Sequence, residues 1–274
     1  MTPLISIVIP CYNHGHYLRE ALDSITIIKH TSVEVIIVND GSTDQNTLAI
    51  LKSLALEGYT IINQINQGLG KTRNNGIKRA RGKYILPLDA DNKLLSAYLH
   101  TGVKYLEEHP EIAVVYSDAF YYGDKQGYIP VKDFNLQQLI TGNFIDACAL
   151  FRKSAWEDVG GYDENMPFMG VEDWEFWLNL SFNGYIFYHI SEPGFYYRVS
   201  NNSMIKKDTS PNFNLLKNYI EKKHSYYINY NAPAVYMSEK FKASPLVFLL
   251  KMILLTYFPS KYKELIGRRK IKRL

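Results

Sequence analysis

Lys83-Tyr84-Ile85-Leu86-Pro87-Leu88-Asp89-Ala90-Asp91-Asn92 reads as a short apolar strand that delivers two carboxylates, one residue apart, to its carboxyl end. Open α/β sheets bind ligands just beyond the carboxyl ends of their strands. Paired carboxylates there suit a hard divalent cation, which in turn can hold a diphosphate. An Asp-x-Asp alone is equally a solvated turn, so its meaning depends on the segments around it.

Working outward from that strand, short runs rich in Ile, Val and Tyr recur at 5–9, 33–38, 59–62, 84–88 and 112–116, the pattern of strands buried on both faces. Helix-length segments lie between them at 17–28, 45–57, 70–81 and 95–108. Strands alternating with helices imply right-handed crossovers and an α/β fold, a mainly parallel sheet with helices on both faces. After residue 117 the rhythm breaks. The sequence then predicts a hairpin or loop at 120–130, a strand at 144–151 and a short helix at 153–159 ended by Gly160-Gly161. An aromatic-rich helix follows over about 172–182, then extended pieces at 185–190 and 195–199.

The chain of 274 residues is long enough for one large domain with an appendage. Its 46% hydrophobic and 21% charged residues are those of a globular protein, and 22 tyrosines with 3 tryptophans suit carbohydrate or interfacial contacts. Cys11 and Cys148 lie far apart and match no metal-ligand spacing, which favours free thiols in a reducing, cytoplasmic compartment. The apolar run at 5–9 leads straight into Pro10-Cys11-Tyr12-Asn13 and reads as a first strand, not a signal peptide. The net charge of +4 is concentrated in the tail, where Lys261, Lys263, Arg268, Arg269, Lys270, Lys272 and Arg273 face the single acid Glu264. A nucleic-acid surface would spread its positive charge over a folded face, so no nucleic-acid partner is expected.

Just ahead of that tail, the apolar stretch 245–258 is about 14 residues long and contains Lys251. A bilayer span needs about 20. The stretch is therefore either a core helix or an in-plane membrane helix, and the basic tail supports the second reading.

Val35-Ile36-Ile37-Val38-Asn39-Asp40-Gly41-Ser42-Thr43-Asp44 is a strand ending in an acid and a polar turn. Asp40 would share the carboxyl edge with Asp89 and Asp91, whereas Asp44 is better placed as the N-cap of the next helix. In Gln67-Gly68-Leu69-Gly70-Lys71-Thr72-Arg73-Asn74-Asn75-Gly76, two glycines open a helix whose N-terminus attracts anions. Its glycine spacing is not that of a Walker loop. In Gly170-Val171-Glu172-Asp173-Trp174-Glu175-Phe176-Trp177, two acids head a helix, where they either serve chemistry or complement the helix dipole. Trp174 and Trp177 are core residues, or one of them stacks on a sugar.

In order and spacing these segments, together with Ser6-Ile7-Val8-Ile9-Pro10-Cys11-Tyr12-Asn13, resemble the family 2 glycosyltransferases over about 4–204. The resemblance implies a nucleotide-sugar-dependent GT-A fold and inversion at the anomeric carbon. It places Pro10, Tyr12, Asn13, Asp40, Gly68 and Arg73 around the donor, Asp89 at the ribose or in the metal shell, and Asp91 on Mn²⁺ or Mg²⁺. Asp173 would be the base, with Glu172 as a possible partner, and Trp174 would face the acceptor. Arg198 and Ser203, in Tyr197-Arg198-Val199-Ser200-Asn201-Asn202-Ser203-Met204, would touch the diphosphate. Many relatives carry a metal-binding His in this last stretch and this chain has none; His189, upstream, reads as structural, and the role of Asp118 is open.

The domain organisation implied is a catalytic domain over 1–210, with a nucleotide-sugar half at 1–117 and an acceptor half at 118–210, followed by a helical C-terminal extension at 211–274. The expected reaction moves a sugar, by default from a UDP-sugar, to a glycan or lipid-linked glycan in surface-polysaccharide synthesis at the inner membrane face. Two other readings are a sugar-nucleotide nucleotidyltransferase, which would carry a glycine-rich basic first loop, and a catalytically idle carbohydrate-binding protein of the same fold.

Overall fold

The structure, a computed structural model, describes residues 3–26, 32–200, 209–228, 241–242 and 244–258. Alternation of strand and helix produces, in order, β1 (Ile5–Cys11), α1 (Gly15–Thr26), β2 (Val33–Asp40), α2 (Gln45–Leu56), β3 (Thr60–Gln64), α3 (Leu69–Arg79) and β4 (Tyr84–Pro87). There follow β5 (Lys93–Leu94), α4 (Ser96–Glu108), β6 (Ile112–Gly123), β7 (Gly127–Ile129), α5 (Leu136–Thr141), β8 (Leu150–Arg152), α6 (Lys153–Asp158), α7 (Glu172–Phe182), β9 (Ile186–Val199) and α8 (Ser210–Lys223). A last described helix spans Pro245–Tyr257.

Among the described residues the strands form one nine-stranded sheet in the order β3-β2-β1-β4-β8-β6-β9-β5, with β7 paired to β6. The first four strands are parallel. Beyond them β8 runs antiparallel to both β4 and β6, and β6 pairs parallel with β9. The sheet is mixed: β8 follows the β7 hairpin strand, the short helix α5 and a loop, and this connection returns it antiparallel to β6.

Burial follows from the period of two along β1. Ile5, Ile7 and Ile9 join Leu18, Leu22, Leu51 and Leu99 in one core cluster, while Val8 points to the other face. There α3 packs on β1 and β2, and it can approach because residue 76 is glycine. A Cβ at that position would lie 2.4 Å from Val8 Cγ1 and 3.0 Å from Val38 Cγ2. Helices therefore cover both faces of the sheet.

The second half departs from the sequence reading in two places. Regular strand in 144–151 begins only at Leu150, because 143–149 is a loop whose Asn143 and Asp146 side chains accept from the nearby backbone at Ile145 N and Cys148 N. The two pieces 185–190 and 195–199 are one strand, β9, carried past Glu192-Pro193 by register shifts opposite Ser117 and Asp118. The expected hairpin at 120–130 forms as β6 and β7.

The chain divides into two compact units, 1–223 and 224–274. The first includes α8, which Lys223 ties to the rest of that unit through Asp163 Oδ2 at 2.6 Å and Glu175 Oε1 at 2.8 Å. In the second, the helix Pro245–Tyr257 exposes Leu246, Val247, Leu249, Leu250 and Ile253. No helix among the described residues is long and apolar enough to cross a membrane.

Candidate active site

The Asp89-Ala90-Asp91 segment lies just beyond β4, in a turn closed by Asn92 N donating to Asp89 O at 3.0 Å. Arg73, on the first turns of α3 and 2% exposed, donates from Nη2 to Asp89 Oδ1 at 2.9 Å. Burial on its own would lower the Arg73 pKa, but Asp89, Glu172 and Asp173 outweigh it and hold the guanidinium charged. One arginine thus faces the Asp-x-Asp turn and the two acids heading α7, which are far apart in sequence.

Those acids differ in their surroundings. Glu172 is 3% exposed and accepts from Gly170 N at 2.8 Å; burial pushes its pKa up. Asp173 lines a cleft of ≈ 640 Å³ and accepts from Asn143 Nδ2 at 2.9 Å and from Trp174 N at 2.8 Å. Burial raises its pKa to about 6, with Arg73 opposing and Glu172 adding to the rise. That is a carboxylate poised to take a proton near neutrality. Asp91 is half-buried, and its pKa is pushed up to about 6 by burial and then by the charge of Asp89.

Asp91 and Asp89 are hard oxygen donors whose mutual repulsion a divalent cation relieves. Among the described residues no group of three or more His, Cys, Asp or Glu side chains is placed to hold a metal ion. A pair of carboxylates still fits a cation that completes its shell with substrate phosphates and water, as Mg²⁺ commonly does.

On the expected donor side, several predicted residues already have internal partners. Asn13 adopts φ 57, and its Oδ1 accepts from Thr43 N at 2.8 Å and Asp44 N at 2.9 Å, joining the loops after β1 and β2. Asp40 accepts from Gln64 Nε2 at 2.7 Å, Gln67 N at 2.8 Å and Gly68 N at 3.1 Å. It therefore pins the loop that opens α3, with Gly68 at φ 87. Pro10 is buried in β1, whereas Tyr12 is 46% exposed and offers its ring to solvent. Asp44 caps α2, accepting from Thr47 N at 2.7 Å. Both cysteines are free and buried.

Arg198 sits near the Asp-x-Asp turn in a way the sequence did not foretell. Its Nε donates to Asp91 O at 3.1 Å, its guanidinium lies 4.3 Å from the ring centres of both Tyr17 and Tyr122, and Glu20 pairs with it. Lys93 reaches the same Glu20 at 2.9 Å. Ser203 lies outside the described residues, as does the basic tail.

Trp174 is corrected by the structure: it is 1% exposed, and its indole Nε1 donates to Leu139 O at 2.6 Å. It supports the cleft from behind, stacked at 6.1 Å on Phe213, which does line it. Trp177 is also core. His189 is structural as read, held between Asp118 at 2.8 Å and Asp133 at 3.2 Å; Asp118 also accepts from Val131 N at 2.7 Å, so it anchors the loop after β7.

Sequence reasoning missed Asp146 and Tyr197 as cleft residues. Asp146 is half-buried with its pKa raised to about 7 by burial and then by Asp89. Tyr197 feels Asp146, Asp89, Asp91 and Asp173 together, and burial with these charges raises its pKa. Asp146 has no neighbouring motif, so only its carboxylate in an otherwise apolar run could have drawn attention. His14 was missed too: burial lowers its pKa while Asp89 opposes that shift.

The mixed, mainly parallel sheet carries Asp89 and Asp91 just beyond β4, and Asp173 lines a cleft at the head of α7. Comparison with known proteins shows the family. The profile of Glycosyl transferase family 2 matches residues 6–160, more than half the chain, and that of Glycosyl transferase family group 2 matches residues 84–266. The chain belongs to glycosyl transferase family 2.

It is 29% identical over 272 residues to an uncharacterised glycosyltransferase of Methanocaldococcus jannaschii, covering 93% of this chain and 91% of that one. An uncharacterised glycosyltransferase of Rickettsia felis is 25% identical over 190 residues, 65% of this chain but 31% of that protein. Among solved structures, S. aureus TarS 1–349 in complex with UDP-GlcNAc superimposes with TM-score 0.61 at 21% identity, covering 74% of this chain and 60% of that one. A Pyrobaculum calidifontis mannosyltransferase in complex with GDP-Man and Mn²⁺ does so with TM-score 0.59 at 18% identity, covering 76% and 60%. At these identities the likeness to solved structures shows the fold.

Proposed function

We propose that the chain is an inverting hexosyl- or N-acetylhexosaminyltransferase that moves a sugar from a nucleoside diphosphate donor, UDP by default, to a glycan or lipid-linked glycan. The observation that carries this reading is buried Arg73 bonded to Asp89 at 2.9 Å, with Glu172 and Asp173 adding to the charge that holds it protonated. It supports reading the Asp89–Asp91 turn as the edge that meets the diphosphate and cation, and Asp173 as the carboxylate that meets the acceptor. The TarS complexes with UDP and UDP-GlcNAc and the mannosyltransferase complex with GDP-Man and Mn²⁺ support a nucleotide-sugar donor and a divalent cation.

In this reading Tyr12 packs against the base, and the loop pinned by Asp40 shapes its pocket. Arg73 orients Asp89. Asp173 takes the proton of the acceptor hydroxyl as its oxygen bonds to the anomeric carbon from the face opposite the leaving diphosphate, so the configuration inverts. Asp91, with Asp89, would hold Mn²⁺ or Mg²⁺, which when bound supplies Lewis-acid stabilisation of the charge on the departing diphosphate. Arg198 meets the same phosphates once it leaves Glu20.

The test is nucleoside diphosphate release from a panel of UDP-, GDP- and dTDP-sugars with candidate acceptors, with and without Mn²⁺. Release that requires both donor and acceptor is the expected result, and none from any pair would sink the transferase. Pyrophosphate release from a nucleoside triphosphate and a sugar phosphate would instead favour the nucleotidyltransferase reading.

The exposed apolar side chains of Pro245–Tyr257 and the basic residues at 261–273 support peripheral attachment to an anionic, cytoplasmic membrane face. Each basic residue near such a surface contributes about 1 kcal/mol. Deleting 245–274 should release the protein from anionic vesicles, and unchanged sedimentation with them would remove the membrane from the proposal.

A further inference from the structure

The cleft that holds Asp173 has a distinctive chemistry. Its walls include Tyr121, Phe144, Phe195, Tyr197 and Phe213. Asp146 and Asp173 are its charged side chains, and among the described residues no Lys, Arg or His lines it. At ≈ 640 Å³ it falls inside the range of about 300–1,000 Å³ typical of small-molecule sites. One oxygen of Asp146 accepts from Cys148 N at 2.8 Å, which fixes the carboxylate against its own loop. An ionised carboxylate only accepts hydrogen bonds and has room for more than one.

From this arrangement we infer that the terminal residue of the acceptor is a neutral sugar and that Asp146 binds one of its hydroxyls, beside the hydroxyl that Asp173 deprotonates. The inference rests on the transferase reading and narrows its acceptor class. Aromatic walls offer flat apolar faces to the C–H face of a pyranose, as tyrosine and phenylalanine do at many binding surfaces. Two fixed hydroxyls would set which position is glycosylated. An acceptor carrying a carboxylate or phosphate on that residue would be set against Asp146 and Asp173 with no Lys, Arg or His among the described lining residues to pair with it, an arrangement that disfavours it. A negative charge farther along the acceptor, outside the cleft, is not affected.

Saturation-transfer NMR on the full chain tests this without requiring turnover. The probes are p-nitrophenyl glycosides of neutral hexoses and N-acetylhexosamines, their single-deoxy analogues, the corresponding uronides and the 6-phosphates. Binding of at least one neutral glycoside is expected, with uronides and 6-phosphates at least tenfold weaker. One deoxy analogue should lose about tenfold or more, and Asp146→Asn should shrink that discrimination, since a hydrogen bond to a charged group is worth this much. A merely structural Asp146 would leave the deoxy ratio unchanged.

The inference is overturned if charged glycosides bind as well as neutral ones, or if no deoxy analogue is discriminated. The wild-type panel decides even if Asp146→Asn fails to fold. Neutral-sugar binding with no nucleotide release would break the transferase reading and leave the acceptor site standing. Release with anionic acceptors would do the reverse.

Discussion

The proposed donor half and the proposed acceptor half of the first unit are built in opposite ways. On the donor side the motif residues are spent on one another: Asn13 joins two loops, Asp40 takes three donors, and Arg73 holds Asp89. On the acceptor side a cleft of ≈ 640 Å³ is lined by side chains from loops and strand edges, where Asp173 accepts from Asn143 Nδ2 and Trp174 N and Asp146 from Cys148 N. A nucleotide diphosphate is a common ligand whose pocket can be preset by backbone and internal hydrogen bonds. The proposed acceptor pocket lies in loops and strand edges, segments that can change while leaving the sheet intact.

The sharpest way to break this comparison is to remove one acid from each side. Asp173→Asn should cut kcat by about 10²–10⁴-fold, the usual contribution of a general base, with donor affinity measured by calorimetry unchanged. Asp91→Asn should instead weaken metal-dependent donor binding. If Asp173→Asn lost the donor and Asp91→Asn kept it, the assignment of the two halves would be reversed.

The pH profile is a second test, with an effect of tenfold per unit. Asp173 must be ionised to accept a proton, and burial places its pKa at about 6. Therefore kcat/KM should fall as pH drops through about 6 and level off above it. Asp91 shares that range before a cation binds, but a bound cation favours its ionised form. At saturating Mn²⁺ the acid limb thus reports the cleft acids, Asp173 and, with its pKa raised to about 7, Asp146; the part that survives in Asp146→Asn belongs to Asp173, and a limb that moves with metal concentration would assign it to Asp91 instead.

The element pattern of the first half was legible in the sequence because parallel strands buried on both faces leave unbroken apolar runs, and all four expected helices formed within two residues of their predicted ends. The second half was less legible for physical reasons. Segment 144–151 is as apolar as a strand, yet Asn143 and Asp146 compete for its backbone. In β9, Glu192-Pro193 looked like a break but is absorbed as an irregularity. In the proposed site, Asp89, Asp91 and Asp173 stood out because they follow a buried strand or open a helix. Asp146 and Tyr197 did not, since only the folded cleft brings them beside Asp173. Arg198 was recognised as a cation but not as one held by Glu20 and two tyrosine rings.

Arg73 tests whether the two halves communicate. Arg73→Met removes the partner of Asp89 and leaves Glu172 and Asp173 without their common counter-charge. Breaking a buried pair costs about 3–5 kcal/mol; Asp89 is partly exposed, its side chain at 33%, so a loss near the lower end, about 3 kcal/mol, is expected in urea unfolding. The variant should also move the acid limb of the pH profile upward, because Arg73 lowers the Asp173 pKa. A stability loss with an unmoved limb would mean that Arg73 serves the donor turn alone.

The smallest effect concerns Trp174, where sequence and structure part. Its indole donates to Leu139 O and its ring backs Phe213, so it is separated from the cleft by another side chain. Trp174→Phe keeps most of the apolar area but leaves the buried Leu139 carbonyl unpaired, a loss of about 1–3 kcal/mol in stability. Phe213 remains the surface that meets the acceptor, so acceptor KM should change less than twofold in that variant, whereas Phe213→Ala should raise it severalfold. Should Trp174→Phe raise KM as much as Phe213→Ala without destabilising the fold, the tryptophan would be reaching the sugar after all, and the acceptor half would have to open further than this structure does.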